Sequence, residues 1–200
     1  ERFGVDAWRI DYRLLRDGQE RHGAARFVDM RVHDRAIPPV DGFHYAIAAG
    51  MLTRPNVDPA AAEALTWGVR AMGATQVRGD WHWGAVQPMP ETWRFDHLDQ
   101  YMERLERHGL EPQVLLSYNN RWAATDVQRS SGDMRDWLFA PPDLALWEAY
   151  VVRLAERYGD RVRFWEVWNE PDLWNFWQGD TQQYIDLLRL SYRVIHELDP

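Results

Sequence analysis

Seven consecutive residues, Trp165-Glu166-Val167-Trp168-Asn169-Glu170-Pro171, carry the densest chemistry in the chain. A carboxyl group at Glu170 beside the amide of Asn169 can move a proton next to a side chain that grips a ligand hydroxyl. Two earlier runs have a related make-up: Arg78-Gly79-Asp80-Trp81-His82-Trp83 and Ser117-Tyr118-Asn119-Asn120-Arg121-Trp122. An arginine, amides, carboxylates and indoles gathered in one pocket suit a neutral, hydroxyl-rich ligand. Amides and carboxylates pair with its hydroxyls, and flat rings cover its C–H surface. On this reading His82, Trp83, Tyr118, Asn119, Trp168, Trp174 and Trp177 line the ligand, and Arg78 and Asn169 bind it. Twelve tryptophans are present, seven of them from Trp122 to Trp177; Trp147, which falls on a helical stripe, is assigned to the core instead. Asp80 with His82, or His33 with Asp34, lacks a third ligand at a useful spacing, so no metal is expected. No cofactor is expected either, because no glycine-rich phosphate-binding motif follows a strand.

The elements that must position these residues follow one repeating order from Asp41 onward, a short β-rich run and then an amphipathic helix. Strands are expected at Phe43 to Ala49, Ala74 to Gly79, Gln113 to Tyr118 and Val162 to Trp168. The first helix follows Asp58-Pro59, an N-cap with proline at the first helical position, and presents Ala61, Leu65, Gly68, Val69 and Met72. The second begins near Asp96, carries Leu98, Tyr101, Met102 and Leu105 on one stripe, and ends at Gly109. The third, Asp143 to Tyr158, presents Trp147, Tyr150, Val151 and Leu154. The fourth opens with a capping box at Asp180 and Gln183 and is expected to bury Tyr184, Leu187, Leu188, Tyr192 and Ile195. Alternating strands and helices imply a parallel sheet with its helices outside.

In a (β/α)8 TIM barrel the functional face lies at the C-terminal strand ends, where all three polar runs fall. A whole barrel takes about 250 residues and eight units, so the four units in 41–200 amount to its first half. Residues 1–40 differ: Ala25 to Val32 alternates apolar and polar with period two and no helix follows, and Ile37-Pro38-Pro39-Val40 forms a stiff connection. They are expected to be the tail of an upstream β-domain or an N-terminal strand.

Composition narrows the partners. A chain of 200 residues with 46% hydrophobic and 27% charged residues can bury one sizeable core. A formal charge of −8 argues against a nucleic-acid partner, and no apolar run approaches a membrane span. There are no cysteines, hence no disulfides or thiol chemistry. Compartment and oligomeric state are not written in these features.

The run from Trp165 to Asp172, followed by Asn175-Phe176-Trp177, resembles the strand-four signature of the clan A glycoside hydrolases, nearest to family 39. Arg78-Gly79-Asp80, Trp83 and Val86-Gln87-Pro88 upstream strengthen the likeness. The resemblance implies a carbohydrate substrate and a retaining mechanism, with Glu170 as acid/base, Asn169 on the sugar 2-hydroxyl and Arg78 near the nucleophile. The nucleophile itself would stand at the end of a seventh strand, outside this chain. Glu166 does not replace it. Four residues of strand span about 13 Å, whereas a retaining pair of carboxyl groups stands about 5 to 5.5 Å apart. Glu166 is expected lower in the barrel, paired with Arg78. A non-catalytic carbohydrate-binding barrel is the alternative, and a lyase or isomerase using Glu170 as a base is a third reading.

Overall fold

The computed structural model describes residues 45–130 and 132–199 and the backbone of two short antiparallel strands, β1 (Leu14–Arg16) and β2 (Gln19–Arg21). The alternating run at Ala25 to Val32, the connection at Ile37 to Val40 and the His33–Asp34 pair lie outside the described residues. The rest forms one four-stranded parallel sheet, β3 (Ala46–Ala48), β4 (Gln76–His82), β5 (Glu111–Ser117) and β6 (Phe164–Val167), with spatial order equal to chain order. Helices α1 (Pro59–Ala71), α3 (Asp96–Arg107) and α6 (Leu144–Tyr158) make the crossovers, and α7 (Thr181–Leu198) follows the last strand. Three short helices, α2 (Trp83–Val86), α4 (Asp126–Ser130) and α5 (Arg135–Leu138), lie in the loops after β4 and β5.

Local chemistry explains the boundaries. Asp58 accepts from Ala61 N at 2.8 Å with Pro59 at the first helical position, and Asp143 caps α6 through Ala145 N and Leu146 N. Asp180 and Gln183 form the reciprocal capping box at the start of α7. Gly109, at φ +62°, takes the left-handed conformation that stops α3 at little cost. The observed strands are displaced from the expected ones. β4 runs three residues further, to His82, so the Asp80 and His82 side chains belong to the sheet; β6 stops at Val167, one residue earlier than expected.

Leu98, Tyr101, Met102 and Leu105 of α3, and Trp147, Tyr150, Val151 and Leu154 of α6, are buried as their stripes require. The other two helices depart from expectation. In α1 the buried positions are Ala62, Thr66 and Val69, while Leu65 and Met72 are exposed. Thr66 can sit inside because its hydroxyl donates to Ala62 O at 2.8 Å. In α7 Leu187, Ser191, Val194 and Ile195 are buried, while Leu188 and Tyr192 are exposed. A serine holds the centre of that face because its hydroxyl accepts from the Trp147 indole at 2.9 Å and donates to Leu187 O at 2.8 Å.

The register sorts the sheet into two faces. Val77, Gly79 and Trp81 of β4 face the helices. Tyr101 Oη donates to Val77 O, Tyr150 Oη donates to Trp81 O, and a Cβ built on Gly79 would come within 2.8 Å of Tyr101 Oη. Gln76, Arg78, Asp80 and His82 therefore share the opposite face, as alternation along a strand requires. Parallel pairing sets Arg78 level with Gln113 on β5, and Gln113 level with Phe164 on β6. The face away from the helices is thus a polar layer that rises toward the C-terminal strand ends.

Candidate active site

Arg78 organises that layer. Its Nε donates to Glu166 Oε2 and its Nη2 to Glu166 Oε1, both at 2.7 Å, in the bidentate geometry that suits guanidinium and carboxylate. Gln113 Nε2 adds a third donor to Glu166 at 3.3 Å. The expected pairing of Arg78 with Glu166 is therefore present, and it holds the arginine pKa above its ordinary value, chiefly through the Glu166 hydrogen bonds. Two further groups share the guanidinium: Nη2 donates to Asn169 Oδ1 at 2.8 Å, and Nη1 lies 3.7 Å from Asp80 Oδ1. One cation thus ties β4, β6 and the turn after β6 together.

That turn has unusual backbone. Trp168 has φ +67° and Glu170 has φ +48°, left-handed values that cost a bulky residue about 1–3 kcal/mol and persist where the surroundings over-determine them. At Trp168 the surroundings do so. Its N–H continues the ladder to Leu116 O at 3.0 Å, and its indole donates to Phe176 O at 2.6 Å. Its ring packs edge-on against Trp177 and Tyr118, with centroids 5.0 and 5.3 Å away. Successive side chains are dealt in different directions: Trp168 into the core, Asn169 onto Arg78, Glu170 into solvent. The Glu170 carboxylate is exposed and has no hydrogen-bond or ion-pair partner among the described residues.

Several residues expected to line a ligand are placed elsewhere. Trp83 is fully buried, stacked on Tyr150 at 5.4 Å and edge-on to Trp122 and Trp147. Trp168, 1% exposed, and Trp177, 5% exposed, continue the same aromatic seam to Tyr184. Asn119 is 2% exposed, and its Oδ1 accepts from Asn120 N at 2.7 Å. The expectation that these four present surface to a ligand is corrected. The cause is that each indole N–H finds an acceptor within the fold: Trp83 on the buried Gln87 Oε1, Trp168 on Phe176 O, Trp177 on Asp180 O.

Gln87 is the residue whose importance sequence reasoning missed. Its side chain bridges Trp83 and Pro90 O, and its carbonyl accepts from Asn120 and Trp122, tying the loop after β4 to the loop after β5. The only signal was its place in Val86-Gln87-Pro88, noted for resemblance rather than for structure. Arg78, His82, Tyr118 and Asn169 do come together. His82 and Tyr118 have ring centroids 5.5 Å apart, and Arg78 Nη2 holds Asn169 at 2.8 Å. Burial lowers the His82 pKa, with Asp80 opposing, so the ring favours its neutral form. Burial likewise pushes the Tyr118 hydroxyl up to about 12. Trp174, 74% exposed, is the indole left facing solvent in the segment after Glu170. No group of three or more metal-ligating side chains occurs among the described residues, and none of their helices is long and apolar enough to cross a membrane.

The parallel β/α sheet is shared with solved TIM-barrel glycoside hydrolases. The chain superposes on the beta-glucosidase of Thermotoga maritima with a TM-score of 0.56 at 15% identity, covering 80% of this chain and 47% of that one, a likeness of fold alone. Sequence narrows the class further. The model of glycosyl hydrolases family 39 matches residues 72–200, and the chain belongs to that family. It is 40% identical, over 68 residues, to a beta-xylosidase of Geobacillus stearothermophilus, an alignment covering 30% of this chain and 14% of that protein. It also matches the GH39 enzyme of Xanthomonas axonopodis pv. citri at 29% identity and a TM-score of 0.59, covering 81% of this chain and 34% of that one. The chain thus spans less than half the length of each of these proteins.

Proposed function

We propose that residues 41–200 are the first four β/α units of a (β/α)8 barrel, preceded by a separate β segment in 1–40, and that the complete barrel is a retaining glycoside hydrolase. Two apolar faces that no described residue covers support the half-barrel reading. Along β3 and α1 runs a cavity of ≈ 1360 Å³ lined by Ile47, Met51, Leu65 and Met72; on α7, Leu188 and Tyr192 are exposed. Both faces lie at the ends of the strand order, where a closing barrel adds its neighbours.

The observation that carries the catalytic reading is the turn after β6, where Arg78 clamps the Asn169 amide while the next carboxyl group, Glu170, stands free in solvent. In this mechanism Glu170 protonates the glycosidic oxygen as the bond breaks, while a carboxylate from the other half of the barrel attacks the anomeric carbon. Glu170 then removes a proton from water in the second step. Asn169 donates to the sugar 2-hydroxyl, and Arg78, His82, Tyr118 and Trp174 shape the rest of this side of the pocket. The beta-xylosidase relative points to a β-linked xyloside as substrate.

The test is hydrolysis of 4-nitrophenyl β-xyloside by the full-length protein, followed by proton NMR of the anomeric product. Turnover with first-formed product of the substrate's own configuration is the expected result. Binding of xylosides without turnover establishes the non-catalytic barrel instead.

A further inference from the structure

Between Glu170 and Asp180 the chain folds as two consecutive tight turns, and one indole of that segment is left uncovered. Leu173 N donates to Glu170 O at 3.0 Å and closes the first turn; Phe176 N and Trp177 N both donate to Leu173 O at 2.9 Å and close the second. The far end is anchored in the core. Phe176 O accepts from the buried Trp168 indole at 2.6 Å, and the Phe176 ring stands edge-on to Phe139 at 5.4 Å. Gln178 N donates to Phe139 O at 2.9 Å, and the Trp177 indole donates to Asp180 O at 3.1 Å. The near end is Asn169, held by Arg78. Trp174 is the second residue of the second turn. It is 74% exposed, and among the described residues its indole has neither a ring neighbour nor a hydrogen-bond partner.

A single exposed apolar side chain is ordinary and by itself needs no explanation. Trp174 differs in where it stands and how it is held. The ends of a β-turn lie within about 7 Å, and the next Cα is about 3.8 Å further on. The Cα atoms of Glu170 and Trp174 are therefore within about 11 Å of each other, a gap of the order that a sugar ring and an indole fill. The frame is pinned at both ends, so little freedom is lost when a ligand lies on it. Order along the chain gives the side. Asn169 turns inward to Arg78 and the polar layer, whereas Glu170 turns outward to solvent. An acid that protonates the glycosidic oxygen stands between the sugar whose anomeric bond breaks and the group that leaves. Residues inward of Glu170 thus meet the first, and residues outward of it meet the second. We propose that Trp174 is the platform of a leaving-group subsite: its indole stacks on the C–H face of a second sugar ring. The preferred substrate is then a β-linked xylo-oligosaccharide rather than the xyloside of a small alcohol. This assignment rests on the reading of the turn after β6 as a catalytic sugar site, and it adds to that site the choice of what is cleaved off.

Substrates that share the sugar on one side of the bond test it in the full-length protein. Methyl β-xyloside and xylobiose both release a hydroxyl that needs protonation, but only xylobiose offers a second ring to the platform. In Trp174→Ala the ratio of kcat/KM for xylobiose to that for methyl β-xyloside is expected to fall about three- to tenfold, the ordinary worth of one aromatic contact. Trp174→Phe is expected to restore most of it. Because the ratio compares two substrates in one protein, a general loss of stability or of active enzyme cancels from it. An unchanged ratio overturns the proposal. It does so whether both rates hold, which leaves the indole idle, or both fall together, which makes it packing for the other half of the barrel.

Binding separates this failure from that of the functional reading. Calorimetry with the full-length Glu170→Gln protein compares affinity for xylobiose and for methyl β-xyloside without appreciable turnover, and adding Trp174→Ala is expected to narrow the difference by the same factor. If the wild type cleaves neither compound, while xylobiose binds more tightly than methyl β-xyloside and loses that advantage in Trp174→Ala, the catalytic reading fails and the platform stands. If the wild type cleaves both and Trp174→Ala changes neither the rate ratio nor the affinity ratio, the platform fails and the catalytic reading stands. If neither compound is cleaved or bound, both fail.

Discussion

Glu170 and His82 are the residues whose protons matter most, and they call for different experiments. If Glu170 protonates a leaving oxygen, Glu170→Gln should cost most where the leaving group is a poor one. A loss of about 10²–10⁴ in kcat/KM, which reports the bond-breaking step, is expected on alkyl glycosides or xylobiose, the usual worth of general acid catalysis, and much less on 2,4-dinitrophenyl glycosides. Equal losses on both would remove the acid role. His82 has its pKa held below the ordinary 6.5 by burial. The unfolded chain then takes up a proton as pH falls through 6.5 while the folded one resists, so stability is full above that value and declines below it. His97, lowered by burial as well, contributes in the same direction. Replacing His82 with Gln should flatten the loss of Tm between pH 7.5 and 5.5; an unchanged slope would mean that His82 titrates alike in both states. The pairing of Arg78 with Glu166 was legible from the run of residues alone, because a carboxylate set inside a barrel four places before Glu170 needs a cation on a nearby strand. The inward burial of Trp168 was not. Period-two alternation sets it on the same face as Glu166, and φ +67° breaks that alternation at the last step.

Element by element, the strand–helix order and the caps could be read in advance because they rest on local chemistry: Asp58 before Pro59, Asp180 with Gln183, Gly109 after α3. Which faces of α1 and α7 are covered could not, since that depends on neighbours rather than on period. Leu65 and Met72 read as core by spacing, yet the sheet takes Thr66 and Ala62 instead. The tryptophans mislead for a related reason. A cluster near strand ends fits a sugar platform and an aromatic seam equally well, until buried acceptors such as Gln87 and Ser191 are in place. Packing between β4 and its cover is tight enough to test. A methyl group on Gly79 would lie 2.7 Å from Thr53 Cγ2 and 2.8 Å from Tyr101 Oη, both on buried residues. Gly79→Ala should destabilise the fold by about 1–3 kcal/mol, as overpacking of a filled core does, read as a lower urea midpoint at constant slope. A wild-type midpoint would mean that the turn bearing Thr53 moves freely away from the sheet.

For the molecule as a whole, the proposed half-barrel makes the sharpest demand. Glu166 is bound up with Arg78 and Gln113, and a carboxylate held by three donors is poorly placed to attack as the nucleophile of a retaining reaction. Residues 1–200 expressed alone should therefore hydrolyse 4-nitrophenyl β-xyloside no faster than the Glu170→Gln form of the same fragment. The β3 and β6 edges and the apolar faces beside them should also make the fragment associate, because exposed strand edges and uncovered Leu65, Met72, Leu188 and Tyr192 seek partners. Adding the segment that follows these residues in the full-length protein, as a separate chain, should suppress that association and restore turnover together, since one docking event would cover the apolar faces and bring in the second carboxylate. Sedimentation and rate measurements on the same mixtures decide the matter. A monomeric, folded fragment with full-length activity would place both carboxylates within residues 1–200 and dismiss the half-barrel. Recovery of solubility without turnover would leave the half-barrel standing and assign the complete molecule to binding rather than hydrolysis.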